Sequence, residues 1–178
     1  MKKFANILLS LAMLVCGCST LPVDQSNVST VDLPIRLTGT SLNGIVASFE
    51  IMEYVSGTGY IRGAVILNNS GEQARTIRMF DLFYLHLAIE DEKGQPIPIL
   101  DSIGAVNPIT REYTVGPAGK LEVPFALRVP EFFRVQHGAY RLFFIYDVRL
   151  CGASPLGGTP FIRWSSGSVP LDFTAGGN

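Results

Sequence analysis

The sequence has little of what most active sites are built from: three cysteines, two histidines and one tryptophan in 178 residues. Charged residues make up only 16%, below the usual quarter, and 14 basic residues nearly balance 15 acidic ones. A net charge of -1 leaves no basic excess to neutralise phosphates, which excludes a nucleic-acid binder. No apolar run reaches the roughly 20 residues that a membrane-spanning helix needs. Nor does any window of a dozen residues carry a helical stripe. Ser165 and Ser166 lack a Gly-x-Ser-x-Gly elbow, and no glycine-rich phosphate loop follows a strand. The acidic run Glu90-Asp91-Glu92 lacks the spacing of a calcium loop and reads as a solvated turn. The expectation is a protein with no catalytic residues, no cofactor and no metal. With 47% hydrophobic residues the chain is too apolar for disorder, and its length suits one domain.

The first residues have a separate organisation. Lys2 and Lys3 precede an apolar run from Phe4 to Val15, the charged region and hydrophobic region of a signal peptide. The run ends in Val15-Cys16-Gly17-Cys18, which resembles the lipobox of bacterial lipoproteins: an aliphatic residue, a spacer, a small residue, then the cysteine that is acylated and becomes the new N-terminus. Cys18 fits because Gly17 precedes it, whereas Cys16 would put bulky Val15 at the cleavage site. The resemblance implies a signal peptide over 1–17, a lipidated Cys18 and a membrane partner reached through that lipid. Ser19, rather than aspartate, follows the cysteine, which by the same resemblance implies the outer membrane, on its periplasmic face. Residues 18–32 are polar and aperiodic, as suits a flexible tether. Cleavage would remove two lysines and no acids, leaving a mildly acidic chain with 12 basic and 15 acidic residues. Cys151 would then remain alone, unable to form an internal disulfide. It is either a buried small hydrophobe, the commoner state of a free cysteine, or an exposed thiol able to dimerise.

From residue 33 to 178 the period is two. Leu121, Val123, Phe125, Leu127 and Val129 alternate with Lys120, Glu122, Pro124, Ala126 and Arg128, so one face of an extended strand is apolar. Phe83, Leu85, Leu87 and Ile89 form such a face on a third strand, and Tyr140, Leu142, Phe144, Tyr146 and Val148 on a sixth. Ile61, Val65 and Leu67 line the second, and Val169, Leu171 and Phe173 the last, an edge strand because it holds Pro170. Turn signals separate them at Asn68–Gly71, Asp91–Gly94 and Gly116–Gly119. The two histidines fall apart, His86 on the less apolar face of the third strand and His137 in the loop before the sixth. About seven or eight strands without covering helices point to an all-β antiparallel sandwich.

Tyr140, opening the sixth strand after Gly138, resembles the tyrosine corner of immunoglobulin-like sandwiches. There the phenol hydroxyl bonds to backbone upstream. Leu142 stands where antibody domains carry a cysteine, so the pattern is similar to the disulfide-free branch, fibronectin type III domains included. That topology implies that the loops near 69–79, 101–115 and 151–163 gather at one end. The last is long and rich in glycine and proline, and Arg75, Arg78, Arg163 and Trp164 would surround it as candidate anchors for a partner. The function expected is a non-enzymatic envelope lipoprotein that binds or assembles with an envelope protein. The alternatives are an accessory subunit of a periplasmic enzyme and a secretion-system assembly lipoprotein.

Overall fold

The computed structural model describes residues 32–103, 108–154 and 158–173. Ten strands follow one another: β1 (Ile35–Leu42), β2 (Ile45–Val55), β3 (Tyr60–Asn69), β4 (Arg75–Phe80), β5 (Leu87–Asp91), β6 (Thr110–Val115), β7 (Lys120–Arg128), β8 (Gly138–Asp147), β9 (Phe161–Arg163) and β10 (Val169–Phe173). Helical structure is confined, among the described residues, to 3-10 turns of three or four residues. Every strand pair is antiparallel. One sheet has the order β1-β2-β3-β7, a second β10-β8-β5 with β9 also on β8, and β4 and β6 form a two-stranded ribbon.

The protein is therefore all-β and antiparallel, but with ten strands rather than seven or eight. One extra strand comes from a hairpin at Asn43-Gly44, whose positive φ angles of 50° and 76° are those of a tight turn that Asn-Gly favours. Two more are the ribbon strand β4, which begins within the expected 69–79 loop, and the short β9, at the end of the expected 151–163 loop.

The two large sheets meet through the faces that alternation selects. Phe144 of β8 stacks on Phe49 of β2 with ring centres 4.0 Å apart, and Phe125 of β7 meets the same ring at 5.9 Å. Leu127, Leu87, Leu142, Tyr146, Val169 and Leu171 are buried around them. Gly63 of β3 is required by this packing, since a Cβ there would run into the Glu50 carbonyl and the Phe125 ring. Pro170 does lie on an edge, because β10 pairs only with β8.

The third strand is shorter than its alternation suggests. Phe83–His86 is a 3-10 turn, and only Leu87–Asp91 is extended. A strand would place Tyr84 and His86 on the outer face. The turn instead buries both while Phe83 stacks on Phe125 at 4.1 Å, and leaves Leu85 only partly buried. Val129 and Val148 likewise continue their strands as buried members of 3-10 turns.

Both ends of the described domain lie at one end of the fold. The chain enters β1 from the side of the β2–β3 turn, and Phe173 packs beside Gly59 in that turn. The opposite end carries the Asn43-Gly44 hairpin, the start of β4, the Gly116–Gly119 turn and the 3-10 turn Val148–Cys151.

Candidate functional site

At the end remote from both ends of the described domain, the start of β4 and the turn after β8 leave a hollow of about 450 Å³. Asn43, Thr76, Arg78, Glu112, Leu150 and Cys151 line it. Asn43 Nδ2 donates to the Thr76 carbonyl at 2.7 Å, so the β1–β2 hairpin braces β4. Arg78 pairs with Glu112 across the ribbon at 2.7 Å, both more than half exposed, a geometry that contributes about 0–1 kcal/mol. Arg75 lies beside Gly44 and makes no ion pair with any described residue.

Cys151 is exposed, against the expectation of burial. It ends a 3-10 turn that stops at Gly152 with φ 74°, so it projects from a loop tip and not from a strand face. Its Sγ is 3.2 Å from Tyr146 Oη. Because the Tyr146 hydroxyl donates to the Arg78 carbonyl at 2.6 Å, the thiol is the donor in that contact. Burial, and then the thiol beside it, push the Tyr146 phenol above its ordinary range.

Two of the expected anchors belong elsewhere. Trp164 is fully buried, 5.1 Å from Phe49 and 5.0 Å from Tyr146 by ring centre, with Nε1 donating to the Thr40 carbonyl at 3.2 Å. It is a core residue because β9 and β1 close over it, with Thr40 N–H donating to its carbonyl at 2.7 Å. Arg163 lies on the outer face of β8, its guanidinium 3.6 Å above the Phe143 ring and 2.7 Å from Glu90. Arg75 and Arg78 thus stay at the remote end without Trp164 or Arg163. The 101–115 segment does not join them as a loop either. Asp101–Ile103 sits beside Phe132 and Arg134 near the other end, and Thr110–Val115 is strand β6. Cys18 lies outside the described residues.

His86 has a role that alternation could not reveal. Fully buried, its Nε2 accepts from the Phe80 N–H at 2.9 Å, which puts the ring proton on Nδ1, facing the Ile145 carbonyl at 3.4 Å. Together with Tyr146 it bolts the β4–β6 ribbon to the body. The sequence signal that could have found it is a histidine between Leu85 and Leu87 in an otherwise apolar run. His137, in contrast, is exposed.

Tyr140 Oη accepts from the Gln136 N–H at 2.9 Å, four residues upstream, and its ring meets Phe173 edge-on at 5.4 Å. Tyr140→Phe removes that bond alone and is expected to lower stability by about 0.5–1.5 kcal/mol in urea unfolding. A variant as stable as the parent would make the ring, not the hydroxyl, the contributor.

The remote hollow can exchange hydrogen bonds and ion pairs with a ligand. Its described lining holds the Cys151 thiol and no histidine or lysine, and both nitrogens of His86 face backbone groups inside the core. No three His, Cys, Asp or Glu side chains among the described residues converge as metal ligands.

The chain matches no family model and no curated protein. Among solved structures it is similar to the yjhA protein from Bacillus subtilis, at 16% identity over 64% of this chain and 78% of that one, with a TM-score of 0.31. A likeness at that level carries no structural or functional argument.

Proposed function

We propose that this protein is a lipid-anchored envelope protein, held by Cys18 at the periplasmic face of the outer membrane, and that it binds a protein partner without catalysing a reaction. The observation that carries this reading is the polarity of the domain. β1 begins at the end that also holds Phe173, whereas Arg75, Arg78 and the hollow around Cys151 lie at the opposite end. An immunoglobulin-like topology agrees with the strand orders β2-β3-β7 and β10-β8-β5, which correspond to A-B-E and G-F-C, and with the Tyr140 hydroxyl bond to backbone upstream.

Cys18→Ala should move the protein from the outer-membrane fraction to the soluble periplasm. An acylated Cys16, or a soluble parent protein, removes the anchor from this reading. For the binding end, a photocrosslinking residue placed at Arg75 in living cells is expected to form a discrete adduct. One at Lys93, in the hairpin after β5 at the tether end, is expected to form none. The opposite pattern assigns binding to the wrong end.

A further inference from the structure

An edge strand turns the N–H and C=O of alternate residues away from its partner, and these groups need other partners or water. In three strands of this fold several of them are taken. β4 turns Thr76, Arg78 and Phe80 outward. Asn43 and Tyr146 donate to the first two carbonyls, and the Phe80 N–H is given to His86. On β10, Pro170 has no N–H, and the Tyr54 hydroxyl bonds both the Asp172 N–H and its carbonyl, at 2.6 and 2.7 Å. On β5, the Ile89 carbonyl accepts from Ile97 and the Asp91 N–H donates to Gln95.

On β6 and β7 no such partner is found among the described residues. The bonds Val129 N–H to Gly59 and Asn69 N–H to Gly119 direct the odd residues of β7 toward β3. Glu122, Ala126 and Arg128 therefore present both backbone groups outward, and Pro124 its carbonyl alone. By the same parity the bond Asp81 N–H to Ile109 leaves Thr110, Glu112 and Thr114 of β6 outward. The two strands are consecutive, joined by the Gly116–Gly119 turn, yet β6 pairs with β4 and β7 with β3. A hollow of about 390 Å³ opens between them, with Arg111 and Tyr113 on one side, the run Val123–Leu127 on the other, and Phe83 among its lining. The charges in its lining are already matched, Arg111 with Asp81 at 2.7 Å. Recognition there rests on unpaired backbone and apolar side chains, not on charge.

We infer that the gap between β6 and β7 accepts an extended segment of another polypeptide, which pairs with the free edge of β7 and lengthens the β1-β2-β3-β7 sheet by one strand. The guest is apolar at alternate positions, because one of its faces lies over Phe125 and Phe83. Pro124 sets the register: the guest offers an N–H to its carbonyl and needs no donor from it. This surface is separate from the remote end carrying Arg75, so either can fail alone.

The test is selection of random twelve-residue peptides against the full lipidated chain in detergent, with affinity then read by fluorescence anisotropy. Enriched peptides are expected to alternate apolar and polar residues. N-methylation of their alternate amides should weaken binding about tenfold or more in one phase, where N–H groups face β7, and little in the other. Ala126→Pro, which removes an outward N–H without touching the β3 ladder, should weaken binding similarly. Loss of fold in that variant would show in circular dichroism, and the methylated peptides then decide alone. The inference is overturned by enrichment of no peptide, by insensitivity to methylation in both phases, by equal loss in both, or by a polysaccharide occupying the gap instead.

Discussion

Phe144→Ala is expected to cost about 3–5 kcal/mol of folding stability. The ring is fully buried and is the point at which the two sheets meet, stacked on Phe49 and edge-on to Phe125 and Phe83. Its removal leaves a void that no single neighbour can fill, and ends aromatic contacts that contribute beyond buried area. Arg141→Ala, three residues earlier on the opposite face, loses an exposed pair with Glu90 at 3.4 Å and a loose contact over the Phe143 ring at 5.9 Å, and should cost under about 1 kcal/mol. Urea midpoints at unchanged slope measure both. Equal losses at the two positions would mean that β8 is turned over, since a shift of one residue exchanges its faces.

Acid should unfold the protein through His86. Burial pushes this imidazole down to about 4 from its ordinary 6.5, opposed by the Ile145 carbonyl and Asp147, which favour the charged ring. The Phe80 N–H also needs the unprotonated Nε2. The unfolded chain therefore takes up a proton near pH 6.5 while the folded chain resists it until about 4. Stability is fully present above 6.5 and falls as pH drops to about 4, by about 3 kcal/mol in all. His86→Gln, which can still accept from Phe80 but does not titrate, should flatten this part of the profile even if it starts from a lower stability. A parent and variant with parallel profiles between pH 6.5 and 4 would show that His86 is not the group responsible. Below 4 a second loss follows, because Arg149, at 2.6 Å, holds the Asp147 carboxyl below its ordinary range.

What could be read from the residues alone was whatever repeats at short range. Alternation at Leu121–Leu127, Tyr140–Tyr146 and Val169–Phe173 identified three strands and their buried faces, since a period of two puts every second side chain on one side whatever the partner. Pro170 marked an edge, because a missing N–H excludes an interior strand wherever the strand lies. Tertiary structure decided what depends on residues distant in sequence. Trp164 looked like a surface anchor beside a long loop, and it is buried because β1, more than a hundred residues earlier, closes over it. Phe83–His86 continued an alternating run, yet it coils because its aromatic rings and imidazole find partners on both sides. Arg163 and Arg78 seemed neighbours by loop, and they separate because Glu90 and Phe143 hold one while Glu112 holds the other. The splaying of β6 from β7 was equally hidden, for a tight turn between two strands normally joins them. His86, Tyr146 and Asn43 hold β4, and β6 pairs with β4 instead of β7.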